Sequence, residues 1–577
     1  MLSKDSESDL ENFKKETNSS DYSGEVKGRW GQFKDSFKRG DVKYEELSQE
    51  LDETERANIG ASKSPLQRDL KNRHLQMIAI GGSVGTGLLI GSGSTLRIGG
   101  PASLVIAWGL VGTMVFCTVH ALGELCVAFP VSGAFSNYAA RFVDTSWGFA
   151  VGWNYAIMWL IVLPLELVAA AMSIQYWNDT INPAAWVAIF YVFILVINLF
   201  GVKGYGEAEF FLAIVKVIAI VGFIILGVII VCGGGPTHHF IGAKNWHNPG
   251  AFAYGFKGVC SVFVTASYSL AGSEMVGLAA AETSNPKYTL PKAIKQVFWR
   301  IFLFYILSLT LIGLIVPYDS PELLGSSNDA SASPFVIAIR IGGINALPSI
   351  FNAVILISVI SVGNSAVYGC SRTIQSLGAQ GLGPSFLNYV DKKGRPLAGL
   401  GISALFGLLC FLSAYDNEAE VFAWLLSVGG LATIFSWFSI VLCHFRFRLA
   451  MRYHKRSLDE LSFKSVTGIW GSLYSMIFLM VVLGVQFWVA LFPVGGNGKP
   501  NAKNFFQNYL GVIVIAIFYV AHKMYMKNWR ICLKLSKIDL DTGRRENDSS
   551  LINYEIEQDK ENFRQLPFYR KVLHFFA

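Results

Sequence analysis

The stretch HLQMIAIGGSVGTGLLIGSG, residues 74–93, opens the first long apolar run of the chain and carries six glycines. Its hydropathy suits a membrane helix, yet each of Gly81, Gly82, Gly85 and Gly87 costs about 1 kcal/mol against alanine inside a helix. In hydrocarbon a backbone group without a partner costs several kcal/mol more, so a break survives only where it is buried in protein or lines a cavity. Such a break would be an unwound turn with inward N–H groups beside the next half-helix, a setting for a carboxylate. The competing reading is close helix packing, because GSVG and GLLIG also fall in small-xxx-small patterns. A nucleotide loop is excluded: neither the P-loop lysine nor a following βαβ unit is present.

Composition frames the choice. Of 577 residues 52% are hydrophobic and only 15% charged, where a soluble chain carries about a quarter. The charges gather in residues 1–73 and 528–577 and thin out between them. The chain is therefore expected to be an all-α polytopic membrane protein. Residues 1–73 would be a cytosolic, largely disordered tail, 74–527 the core, and 528–577 a cytosolic C-terminal tail. The opening residues are acidic and polar, so no cleavable signal peptide is expected. Within the first tail, GRWGQFKDSFKRGD (28–41) sets Trp30, Phe33 and Phe37 at helical spacing, for a membrane surface or a docking face. The net charge of +7 sits in loops and implies no nucleic-acid partner. Eight cysteines lie mostly in apolar runs without metal-ligand spacing and read as buried hydrophobes, so neither metal nor cofactor is expected.

Apolar runs of about 20 residues give twelve spans. They lie near 75–97, 102–128, 147–177, 183–201, 209–232, 255–281, 299–317, 333–368, 398–414, 420–444, 467–492 and 506–526. Loops after even spans are basic: Lys287, Lys292, Lys295 and Arg300; then Arg372, Lys392, Lys393 and Arg395; then Arg446, Arg448, Arg452, Lys455 and Arg456. Loops after odd spans are nearly bare of Lys and Arg, which puts both termini in the cytosol.

The sixth span, SVFVTASYSLAGSEMVGLAAAET (261–283), also breaks, at 267–273 around Ser269 and Gly272. Two interrupted spans separated by five are what an inverted five-plus-five repeat predicts. Carbonyls freed at the second break could hold an ammonium, so the two breaks together suit the zwitterion of an amino acid. Ionisable residues inside spans cost at least about 2.5–3.5 kcal/mol and default to functional or paired roles. They are Glu124 in span two, Glu166 in span three, Lys216 in span five, and Glu274 and Glu282 in span six. Lys216 could stand where another transporter holds sodium, or form a static pair with a glutamate. Glu124 and Glu274 are proton-carrier candidates, while Glu166 and Glu282 serve specificity or anchor helices. His120, one turn before Glu124, reads as a packed residue.

Several blocks, in order along residues 65–530, resemble the fungal amino acid permeases of the amino acid–polyamine–organocation superfamily. They are LKNRHLQMIAIGGSVGTGLLIGSG, ALGELCVAFPVSGAF, FGVKGYGEAEF, LAAAETSNPKYTLPKAI, SVGNSAVYGCSRTIQSLGAQG and SIVLCHFRFR. Among subgroups the chain looks most like a general amino acid permease. The resemblance implies twelve transmembrane helices, a LeuT-like 5+5 inverted repeat with helices 1 and 6 broken plus two more. It also implies proton-driven import of L-amino acids across the plasma membrane, with endosomal and vacuolar turnover. Carried over residue by residue, the substrate carboxylate meets the N–H groups of Ser83, Thr86 and Gly87, around Val84 and Gly85. The ammonium meets the carbonyls of Tyr268 and Ala271, with Tyr268 also a gating side chain. Lys216 replaces sodium, facing span one and Ser361 or Asn364. Glu274 and Glu124 handle protons or substrate, and Val362 walls the side-chain pocket. Lys4, Lys14 and Lys15 would be substrates of ubiquitin ligase machinery. The chain departs from many relatives at its end, where Ala577 replaces a lipidated cysteine. Small residues at both breaks suit a broad substrate range. The alternatives are a narrow permease or an amino-acid sensor on the same scaffold; a channel filter or an enzyme site has no motif to support it.

Overall fold

A computed structural model of the chain describes residues 34–40, 52–62, 66, 69–70, 72–178, 180–283, 286–324, 333–414, 418–496, 498–544 and 567. Among these residues the regular structure is helical, with two isolated β-bridges and no strand. Helix α1 (Glu53–Ser62) precedes the first span, which comes in three pieces: α2 (Asn72–Gly81), α3 (Thr86–Leu89) and α4 (Gly91–Gly99). Next come α5 (Pro101–Ala128), the short α6 (Ala134–Phe142), α7 (Thr145–Gln175), α8 (Pro183–Leu199) and α9 (Gly201–Val231). The sixth span is again in pieces, α10 (Gly255–Ser261), α11 (Phe263–Leu270) and α12 (Met275–Ala279). The remainder is α13 (Pro286–Ile315), α14 (Pro334–Ile341), α15 (Leu347–Ala379), α16 (Leu397–Leu412), α17 (Glu418–Tyr453), α18 (Gly468–Leu491) and α19 (Ala502–Met526). Nine helical stretches among the described residues are long and apolar enough to cross a membrane; α8 and α16 are shorter apolar helices.

Local chemistry sets the boundaries. Proline in the first turn starts α5 and α8, where its missing N–H is no loss. Asp144 caps α7 by accepting from the N–H groups of Ser146 and Trp147, and Asn501 caps α19 through that of Asn504. Several expected boundaries move. The single span at 333–368 is two helices, because Gly343 turns with φ +74 and Pro348 restarts the chain in the next first turn. The fifth and seventh spans begin earlier than expected, at Gly201 and Pro286. Arg300, expected in a loop, is therefore buried inside α13. Helix α17 likewise runs to Tyr453 and carries Arg446, Arg448 and Arg452, also expected in a loop.

α7 and α15 form the central pair, with α2 laid on α9 and α11 on α17 and α5. Their core is aromatic and small by turns: Tyr205 stacks on Tyr368 with ring centroids 4.2 Å apart. The periphery inverts the soluble pattern. Phe193 of α8, Ile218 and Ile225 of α9, Ile477 and Met480 of α18, and Ile517 of α19 are all exposed. An apolar belt of that extent is stable only against lipid.

Parts of both tails pack on this core. Phe37 lies beneath the Arg395 guanidinium at 4.1 Å, and the Tyr389 hydroxyl donates to Phe37 O at 2.8 Å. α1 packs on α6, where Arg141 Nε donates to Asn58 Oδ1, and Asn58 Nδ2 reaches Asp539 Oδ2. Asp539 is held below the ordinary carboxylate range: burial raises it, but the N–H groups of Thr542 and Asp541 outweigh that. Trp30, Phe33, Lys4, Lys14, Lys15 and Ala577 lie outside the described residues.

Candidate substrate site between two helix breaks

The unwound turn after Gly81 frees carbonyls at the C-terminal end of α2, and three groups claim them. Arg300 NH1 donates to Ala79 O, Lys216 Nζ to Gly81 O at 2.6 Å, and the Tyr305 hydroxyl lies 2.8 Å from Ser83 O. Two cations at the negative end of a helix are favourable electrostatically as well as satisfying the acceptors. The same Tyr305 hydroxyl lies 2.9 Å from Ser269 O in the second break, so one side chain of α13 spans both breaks. The breaks also touch directly. Gly272 has φ +85, and a Cβ there would fall 2.2 Å from Gly82 O. Gly87 lies so close to α11 that its Cβ would come within 2.6 Å of Ser269 Cα. Glycine at these two positions lets two backbones meet where any side chain would hold them apart.

Between the breaks lies a narrow, nearly closed cavity of about 20 Å³. The breaks line it with Gly82, Ser83, Gly85, Thr86, Gly87, Tyr268, Ser269 and Ala271; α7 adds Met158, Trp159, Val162 and Glu166, and α15 adds Val362. Seven of the nine expected substrate residues are thus brought together: Ser83, Gly85, Thr86, Gly87, Tyr268, Ala271 and Val362. Val84 is buried behind the turn, and Ser361 gives its hydroxyl to Glu209 Oε1. Of the three amides expected to face a carboxylate, that of Ser83 is engaged with Ile80 O at 3.3 Å. Those of Thr86 and Gly87 head a half-helix, where no intrahelical acceptor exists. Glu166, 2% exposed, accepts from Thr86 Oγ1 at 2.6 Å through Oε1, and the Thr86 N–H and the Tyr268 hydroxyl also act on its carboxylate.

The remaining expected acids lie elsewhere. Glu274 sits under the second break, held by Trp437 Nε1 at 3.1 Å, Gly272 N at 3.2 Å and the Tyr155 hydroxyl at 3.4 Å. Glu282 accepts from the Tyr368 hydroxyl at 2.7 Å and Arg372 Nε at 3.1 Å, an anchor between α15 and the end of the sixth span. Glu124 binds Arg448 NH2 at 2.5 Å, Ser465 N at 2.6 Å and His444 Nε2 at 3.2 Å, tying α5 to α17 and the loop beyond it. None of the three lines the cavity. His120 Nδ1 donates to Phe116 O at 3.0 Å within its own helix, as a packed residue does.

Sequence reasoning missed Glu209, Arg300, Tyr305 and Trp159. Glu209 was legible in principle, because it precedes Lys216 by seven residues and so shares its helix face. Its place at the edge of an apolar run gives it the look of a boundary charge instead.

The family model described as amino acid permease matches residues 74–534. The chain is 67% identical to amino-acid permease GAP3 of Candida albicans, over 95% of this chain and 94% of that one. It is 53% identical to general amino-acid permease GAP1 of Saccharomyces cerevisiae, over 95% and 92%. It is 49% identical to the histidine permease of the same yeast, over 91% and 88%. These are transporters, not enzymes. With its glycine-broken helices and lipid-facing belt, the chain belongs to the amino acid permease family.

Proposed function

We propose that this permease imports L-amino acids of broad range across the plasma membrane, driven by the proton gradient, by alternating access. The observation that carries the reading is the cavity between two helix breaks, lined by the head of the half-helix at Thr86 and Gly87, by Tyr268 and by Glu166. An α-carboxylate would take the amides at Thr86 and Gly87, and the ammonium the carbonyls near Tyr268 and Ala271. That uses only groups every amino acid carries. The side chain would project toward Val362 and Val162, a small apolar wall that discriminates weakly. General permeases among the relatives support broad range.

The helical inventory supports twelve spans: nine long apolar helices, two shorter ones and the broken first stretch. Breaks in the first and sixth stretches support the 5+5 inverted repeat plus two helices, with both termini cytosolic. Lys216 and Glu274 lie within reach of the two breaks and are the coupling residues of this reading. Glu124 belongs to the cluster with His444, Arg448 and Ser465 and would act on α17. Ubiquitin ligase acting on the tail lysines would set residence in the membrane.

Uptake of a labelled neutral amino acid by purified protein in liposomes tests the reading. Label concentrates under an inward proton gradient, escapes when a protonophore collapses it, and is competed by most of a panel of amino acids. Binding without transport would make the protein a sensor. One narrow competing class would remove broad range and leave the mechanism. Gly85→Ala probes the cradle itself, since its Cβ meets Val362 Cγ2 at 2.6 Å. It raises KM for all substrates together; a loss confined to one side-chain class would contradict the shared backbone site.

A further inference from the structure

Glu209 is an acid with no part in the site as described, yet it is fully buried beside it. Both Glu209 and Lys216 are 0% exposed and stand on one face of α9. The two meet the same residue: Lys216 Nζ bonds Gly81 O at 2.6 Å, and a Cβ on Gly81 would come 1.8 Å from Glu209 Oε1. The Ser361 hydroxyl fixes that carboxylate from α15, and Asn364, Ser365 and Tyr205 complete its surroundings. The charges that act on Lys216 are Glu209 on its own helix and Glu166 across from α7. Only Glu166 lines the cavity.

We propose that Glu209 is a positioning residue for substrate binding: it supplies the counter-charge that keeps the Lys216 ammonium on the Gly81 carbonyl and away from Glu166. The proposal rests on the amino acid reading of the cavity. Without Glu209, the nearest anion left to Lys216 is Glu166, and a buried ammonium draws toward the one carboxylate available. That movement would pull Glu166 off Thr86 and distort the turn that cradles the substrate. The fault then lies with an unbalanced cation, not with the missing carboxylate. Removing the cation as well should repair it.

The test measures binding of a labelled neutral amino acid to purified protein, for wild type, Glu209→Gln, Glu209→Asp, Lys216→Met and the double Glu209→Gln/Lys216→Met. Glutamine keeps the acceptor for Ser361 and removes only the charge. Expected is a loss of affinity of at least about tenfold in Glu209→Gln, roughly 1.4 kcal/mol. Glu209→Asp, which keeps the charge, stays near wild type. The double variant recovers to within about threefold, while gradient-driven accumulation stays lost because Lys216 is gone. Should Glu209→Gln fail to reach the membrane, the double variant still decides: delivery and near-normal binding support the proposal, and their absence overturns it. A Glu209→Gln protein that binds like wild type overturns the proposal, as does a double variant no better than the single one. Wild-type protein that binds no amino acid would instead overturn the reading of the cavity, so the two failures are distinguishable.

Discussion

Lys216→Met abolishes accumulation of amino acid against its gradient, by roughly 100-fold or more, about 2.7 kcal/mol of lost coupling. Methionine keeps the length of the stem and removes the charge that bonds Gly81 O at 2.6 Å. A hydrogen bond from a charged donor contributes about 1.5–3 kcal/mol, and here its acceptor is the last carbonyl before the unwound turn. With it gone, the turn loses the contact that ties α9 to the first break, and Glu209 and Glu166 lose their shared cation. The variant therefore also melts earlier, since this buried charge-assisted hydrogen bond is lost and Glu209 is left without the cation that acts on it. Uptake is normalised to protein at the surface, and substrate binding is measured beside it. Binding retained with accumulation lost assigns Lys216 to coupling. Wild-type accumulation by surface-matched protein would remove it from the mechanism.

The positions of the two breaks were legible because glycine placement in an apolar run has few explanations. Gly81, Gly82, Gly85 and Gly87 lie where the first span unwinds, and Gly272 where the sixth does. Unwinding and close packing, the two explanations for those glycines, hold at once. Gly87 meets α11, Gly82 the second break, Gly81 α9 and Gly85 α15, so packing and unwinding are one arrangement here. Spans were harder at their ends. Hydropathy marks where a run becomes apolar, whereas a helix ends where its backbone turns, as at Gly343.

That same reliance on hydropathy hid the polar half of the site. Arg300 and Glu209 look like boundary charges because each begins an apolar run, yet the helices continue outward past them and leave both buried. Tyr305 carried no signal: one tyrosine in an apolar helix is ordinary, and only the fold brings its hydroxyl between Ser83 O and Ser269 O. The acids split for a related reason. A charge in a span must be partnered, but sequence does not say by what. Glu124 and Glu282 find arginines from α17 and α15, while Glu166 finds the Thr86 hydroxyl and lines the cavity.

The close approach of the two breaks makes Gly272→Ala severely damaging to the site. Two independent costs apply. At φ +85 an alanine is in a region that costs an L-residue about 1–2 kcal/mol. Its Cβ would also fall 2.2 Å from Gly82 O and 2.7 Å from Gly82 C, both backbone atoms that no rotamer can move aside. Overpacking of this kind adds about 1–3 kcal/mol and is relieved only by separating the breaks. Ordinary contact needs roughly 1 Å more, and a misplacement of about 1 Å in a site can cost on the order of 100-fold. Expected is near-complete loss of uptake with a lowered melting temperature. Gly222→Ala in α9 is the control, because its Cβ meets nothing within 4 Å. There the helix gains up to about 1 kcal/mol from alanine and transport is unchanged. Normal uptake by Gly272→Ala would mean that the two breaks do not need to touch, and the cradle between them would have to be rebuilt from other residues.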